Sequence, residues 1–135
     1  PLRFDPELQE IARGHSKDMA ERNYYSHVSP DGVSVEGRYK RAGYNCQIHT
    51  ETRGRTRIYR TGSENIAQNY WKKEALTPSG ETVYFDTNDG LARDFVNQWM
   101  NSTGHRENLL QEYWRNEGIG IYKKDDLVYA TQNFC

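Results

Sequence analysis

The stretch Trp99-Met100-Asn101-Ser102-Thr103-Gly104-His105-Arg106-Glu107-Asn108-Leu109-Leu110 contains a helix end, a break and a new helix start. Upstream of it, Leu91, Ala92, Phe95, Val96 and Trp99 recur at three- and four-residue intervals. That period predicts an amphipathic helix with these five residues on its buried side. Ser102-Thr103-Gly104 breaks the helix, and a short helix is expected from His105 to Leu110. The break leaves His105 at a junction of loop and helix, where a side chain is aimed by turn geometry rather than by a regular face. His27 has a similar setting in Ser26-His27-Val28-Ser29-Pro30-Asp31-Gly32, whose Pro-Asp-Gly signals a turn.

Outward from these two junctions the elements follow in turn. Asp5-Pro6-Glu7 starts a helix, with an N-cap carboxylate, proline at the first helical position and an acid in the first turn. Leu8, Ile11, Ala12, His15 and Met19 then share one face, and Asn23-Tyr24-Tyr25 ends it. A second helix runs from the N-cap Ser34 to a stop at Gly43. Tyr44 to Thr61 reads as strand-like and loop-rich. Arg53, Arg55 and Arg57 alternate there, which predicts three cations on one face of a strand. No element is assigned from Gly62 to Gly90 beyond a turn at Pro78-Ser79-Gly80. The C-terminal region reads as a hairpin: Gly118 to Tyr122, a turn over Lys123 to Asp126, then Val128 to Phe134. No repeat or linker divides the chain, so residues 1–135 form one domain.

At 135 residues the chain is long enough for one core. Its 35% hydrophobic content is low, but 13% aromatics, including ten tyrosines, separate it from disordered chains. A net charge of −1 excludes a uniformly basic nucleic-acid binder while leaving room for a local patch. One exists: from Gly37 to Arg60 there are seven basic residues and one acidic. Arg53, Arg55 and Arg57 can meet an anionic lipid, polysaccharide or nucleic acid, or form a solvated strand face. The face is favoured over nucleic acid because no aromatics interleave for base stacking. No apolar run reaches the roughly 18 residues of a membrane span, so no transmembrane segment is expected. The chain opens at Pro1-Leu2 without a signal-peptide pattern, which predicts a mature or trimmed form.

Phosphate-loop, dinucleotide, nucleophile-elbow and zinc-helix signatures are all missing. The chemistry therefore rests on four histidines and their neighbours. His15, on the apolar helix face, reads as a half-buried structural residue, and His49 as a solvated one. A nucleophile built from Cys46 and His49 lacks a third, orienting group. Asn101-Ser102-Thr103 matches the N-glycosylation pattern, a reading discounted by its neighbourhood. Glu64, entering the apolar Ile66-Ala67 run, needs a partner if buried. Spacing alone does not bring His27, Glu64 and His105 together.

A family resemblance does. His15-Ser16-Lys17-Asp18-Met19-Ala20 and Tyr25 to Gly32 resemble the opening of a CAP domain. That superfamily comprises cysteine-rich secretory proteins, antigen 5 and pathogenesis-related proteins. Further blocks follow in the family's order: Gly43-Tyr44, Ser63 to Ala67, Trp99 to Leu110, Gly118 to Tyr122 and Tyr129 to Phe134. The Trp99 block is similar to the prokaryotic, SCP-like branch. The resemblance implies an α+β fold, a three-layer α-β-α sandwich with a central antiparallel sheet. It also implies that the family's usual first helix is missing ahead of Leu2-Arg3-Phe4-Asp5.

The same resemblance implies a cavity lined by two histidines and two acids that holds a divalent metal in some members. His27 and His105 match the histidines and Glu64 one acid. The second acid's place, three residues after Trp99, is taken by Ser102 beside Asn101, which are expected at the cavity rim. Two imidazoles and a carboxylate suit zinc with a fourth position open to water. The expected function is an extracytoplasmic, non-enzymatic binding module for a metal and a lipid, peptide or cell-surface glycan. The alternatives are a metal-dependent hydrolase using His27, Glu64 and His105, and a purely structural cell-surface domain. A monomer with no nucleic-acid partner is expected. In the implied sandwich Cys46 and Cys135 lie near the central sheet, close enough for a disulfide, which suits secretion.

Overall fold

A computed structural model describes residues 1–71, 74–84 and 88–135. In chain order the elements are β1 (Arg3–Phe4), α1 (Pro6–Arg22), α2 (Val35–Arg41), β2 (Ile48–Arg53), β3 (Thr56–Arg60) and β4 (Ser63–Tyr70). They continue with β5 (Glu74–Leu76), β6 (Thr82–Tyr84), α3 (Asn88–Met100), α4 (Thr103–Leu109), β7 (Asn116–Lys124) and β8 (Leu127–Phe134). The central sheet has the order β1-β7-β8-β4. Its three long strands pair antiparallel, and the two-residue β1 adds a parallel edge beside β7.

The two faces of β8 carry different helices, which makes the three layers. Val128 and Ala130 join Ala67 of β4 and pack against Leu91, Phe95 and Trp99 of α3. Tyr129, one residue out of phase, joins Ile66 and packs against Met19 and Ala20 of α1. This period-2 split is what a strand covered on both sides requires. Gly118 and Gly120 let β7 approach α1 closely: a Cβ at either would collide with the backbone of α1 at Leu8-Gln9 or Ala12-Arg13. Ser16 donates to the Gly120 carbonyl at 2.9 Å and lies 2.7 Å from the Thr131 hydroxyl, tying α1 to both strands.

Local signals behave as their chemistry dictates. The Asp5 carboxylate accepts from the amides of Glu7 and Leu8, and Asn23 ends α1 in the left-handed region at φ 56°. The Ser34 hydroxyl caps α2 by accepting from the Gly37 amide. Two expectations are corrected. Of the five apolar residues assigned to the buried side of α3, only Leu91, Phe95 and Trp99 are buried, while Ala92 and Val96 are exposed. The stripe at i, i+4 and i+8 covers the sheet, and its neighbours 100° around the helix meet solvent. Arg53, Arg55 and Arg57 do not share a strand face, because Gly54-Arg55 is a hairpin turn joining β2 to β3.

Cys46 and Cys135 are bonded, with their Cα atoms 5.7 Å apart. They sit in a cluster with Leu8 and Tyr39, fastening the segment before β2 to the end of β8.

Candidate functional site

Among the described residues β4 is the terminal strand of the central sheet, with no strand beside it to donate to its outer carbonyls. Side chains fill that role. Trp99 Nε1 and the Tyr25 hydroxyl donate to the Ile66 carbonyl at 3.0 and 3.1 Å. Asn108 Nδ2 donates to the Glu64 carbonyl at 3.2 Å and to Asn65 Oδ1 at 3.1 Å. Asn65 Nδ2 in turn donates to the His105 carbonyl at 3.2 Å. This network docks α4 on the edge of β4 and places His105 there.

The cleft along this edge measures about 460 Å³ and is lined by His27, Ser63, Glu64, Asn65, Ser102, Gly104, His105, Glu107, Asn108, Gln111 and Tyr113. His27 and His105 therefore line one cavity, with Glu64 at its base. Ser102 lines it too, whereas Asn101 is exposed just past α3 and is not among the lining residues. Where the second family acid is missing, Glu107 brings a carboxylate from α4 instead. Glu107 stands two residues after His105, and only the docking of α4 on β4 turns it into the cleft.

Glu64 is the hub. Its side chain is 1% exposed, and its two oxygens are surrounded by donors. His27 Nδ1 lies 2.9 Å from Oε1, and His15 Nε2 lies 3.6 Å from the same atom. Arg38 Nη2 donates to Oε2 at 2.5 Å and Asn133 Nδ2 at 2.9 Å. Burial pushes the Glu64 pKa up, but the bond from His27, the Arg38 and His15 charges and the bond from Asn133 hold it below the ordinary carboxylate value. An ionised carboxylate only accepts, so the facing His27 Nδ1 carries the proton. Nε2, on the far side of the ring, makes no contact with Glu64. His27 is 47% exposed, so this nitrogen is offered to the cleft.

His105 differs. Its Nδ1 is buried without a hydrogen-bond partner among the described residues. Burial lowers its pKa and the nearby His27 charge lowers it further, so the ring is neutral at pH 7. Both rings belong to residues that line the same cleft.

Sequence reasoning missed two members of the site. His15 is not half-buried but 1% exposed, with Nε2 donating to the Ser26 carbonyl at 2.9 Å. Burial depresses its pKa despite the opposing Glu64 charge. Arg38 bridges Glu64 and the His27 carbonyl, donating to the latter from Nη1 at 2.9 Å. Its position four residues after the Ser34 cap was legible, but not its inward direction. His15 and Arg38 thus hold both ends of the peptide segment that presents His27. Within that loop the Ser29 hydroxyl accepts from the Val33 amide at 3.0 Å, and Arg22 reaches Asp31 at 2.7 Å. His49 is exposed and remote, 2.8 Å from the Thr52 hydroxyl on its own hairpin.

Among the described residues no three His, Cys, Asp or Glu side chains are grouped as ligands. Both Glu64 oxygens accept hydrogen bonds from protein donors, and through Oε1 Glu64 orients the His27 ring.

The comparisons agree with this architecture. The description "Cysteine-rich secretory protein family" (CAP) matches residues 1–134. The chain belongs to the CAP family. Two Bacillus subtilis (strain 168) proteins resemble this CAP domain. "Uncharacterized membrane protein YlbC" is 34% identical over 98% of this chain and 28% of its own length. "Uncharacterized protein YkwD" is 32% identical over 98% of this chain and 38% of its own. The CAP domain therefore spans less than two fifths of these relatives. Among solved structures, an extracellular protein containing a SCP domain from Bacillus anthracis str. Ames superposes with a TM-score of 0.63 at 33% identity, over 98% of this chain and 33% of that one. An outer surface protein of Borrelia burgdorferi also gives 0.63, over 98% and 75%, at 18% identity, a likeness of fold. Among the described residues of this CAP domain no helix is long and apolar enough to cross a membrane.

Proposed function

We propose that this CAP domain is an extracytoplasmic, non-enzymatic binding module whose cleft at the β4 edge takes a polar ligand. The observation that carries the reading is the saturation of Glu64. A hydrolase with Glu64 as its general base needs that carboxylate free to take a proton from water, and Glu64 instead faces four donors. The lining of Ser63, Asn65, Ser102, Glu107, Asn108 and Gln111 suits a peptide or glycan better than a lipid tail. A divalent ion, zinc by the donor chemistry, would be held by His27 and His105 with water completing its shell. Such an ion would supply a Lewis-acidic contact to a ligand oxygen. The extracytoplasmic assignment draws support from the Cys46–Cys135 bond, since cytosolic thiols stay reduced. The extracellular and outer-surface descriptions of the two structural neighbours point the same way.

Calorimetric titration with zinc, repeated on His105→Ala and His27→Ala, tests the proposal. Binding lost in both variants, with no hydrolysis of peptide or ester substrates at saturating metal, is the expected result. Metal-dependent turnover would establish the hydrolase instead.

A further inference from the structure

The β2–β3 hairpin forms a two-stranded sheet of its own, outside the central one. Gly54 opens its two-residue turn at φ +60°, the left-handed value that lets the ribbon reverse so tightly. Its pairs are Arg53 with Thr56 and Thr52 with Arg57. Directly opposed residues share a face and successive ones alternate, so Arg53 and Arg57 stand on opposite faces, with Arg55 at the tip. Arg53, Arg55, Arg57 and Arg60 are all exposed. Among the described residues only Arg53 has a carboxylate partner, Glu51 at 2.7 Å. The base of the ribbon is fixed, because Cys46 is bonded to Cys135 two residues before β2 and the central strand β4 begins three residues after β3.

Charge is segregated along the chain. Residues 37–60 carry seven basic side chains and one acidic, leaving eleven basic against eighteen acidic elsewhere. From this distribution we infer that the hairpin is a docking arm for a flexible linear polymer bearing repeated phosphate groups. Guanidinium forks match phosphate oxygens bidentately, and cations on two faces and a tip suit a chain that can wrap around a ribbon. A bilayer presents a plane, which would meet one face and gain from an apolar tip, but the tip is Arg53-Gly54-Arg55-Thr56. Single-stranded nucleic acid calls for a series of stacking aromatics. The ribbon has Tyr59 alone, tilted against His49 with ring centres 5.6 Å apart.

The test is binding of fluorescently labelled long-chain inorganic polyphosphate, followed by anisotropy across a salt series. The unaltered domain is compared with Arg55→Gln/Arg57→Gln/Arg60→Gln and with the control Lys17→Gln/Arg93→Gln/Lys124→Gln, which removes the same charge from exposed sites elsewhere. The hairpin variant is expected to bind at least about tenfold more weakly and to lose about 2 from its log–log salt slope, since each phosphate contact contributes roughly 0.7 on a single-stranded polyanion. The control should stay within about twofold, because surface charges beyond a Debye length are screened. An unchanged melting temperature shows that the variants fold. Absence of binding by the unaltered domain, or equal losses in the two variants, overturns the inference. So does arginine-dependent binding to phosphatidylglycerol vesicles, or arginine-dependent self-association, in place of polyphosphate binding.

Discussion

Replacing Glu64 with glutamine keeps the shape of the hub and removes its charge. The new amide turns two acceptor positions into donors, so at least one of His27 Nδ1, Arg38 Nη2 and Asn133 Nδ2 meets another N–H. Hydrogen bonds to a charged group contribute about 1.5–3 kcal/mol each, and breaking a buried ion pair costs about 3–5 kcal/mol. Arg38 is 12% exposed and keeps its bond to the His27 carbonyl, so the lower part of that range applies. The expected loss is about 3 kcal/mol, or roughly 10 °C in melting temperature for a domain of this size. Urea unfolding of Glu64→Gln, Arg38→Met and the double variant measures it. The loss in the double variant should fall at least about 1.5 kcal/mol short of the sum of the single losses, as expected for residues in one network. Additivity within about 0.5 kcal/mol, or single losses below about 1 kcal/mol, would refute the view that Glu64 and Arg38 hold the site as a pair.

Stability should fall in two stages on acidification. His15 and His105 have depressed pKa values in the fold, so the unfolded chain binds protons first, and stability declines below about 6.5. The Glu64 pKa is also depressed, so its contribution is complete above about 4.5 and is lost as pH drops through its lower folded value. Urea midpoints between pH 3 and 8 would show a single late stage if neither histidine were depressed in the fold. Gly120→Ala should leave little folded protein, because its Cβ would fall on the backbone of α1 at Arg13, and circular dichroism checks this directly. Cys46→Ser/Cys135→Ser removes a closure spanning 89 residues, with an upper loss of about 4–5 kcal/mol in the chain-entropy model. Alkylation of the native, unreduced protein should label no thiol. Asn108→Ala should weaken zinc binding through the position of α4 while His27 and His105 remain, as calorimetry with His105→Ala for reference would show.

The local structure was legible in the residues because its causes are local. Asp5-Pro6 starts α1, Asn23 stops it, Ser34 caps α2, and the four-residue spacing of Leu91, Phe95 and Trp99 marks the buried stripe of α3. Order along the chain, from the His15 block to the Tyr129 block, sufficed to identify the fold family and the histidines of the cleft. The direction of a side chain across the fold was decided only by packing. β4 carries no strong periodicity, since its alternate residues are covered on both faces, and its edge is satisfied by Trp99, Tyr25 and Asn108 rather than by a strand. Glu64 becomes an orienting group because α1 brings His15, α2 brings Arg38 and β8 brings Asn133 to the same two oxygens. The nearest of those three is 26 residues away in sequence. A carboxylate's role depends on how many donors surround it, and that number is set by which elements the core draws together.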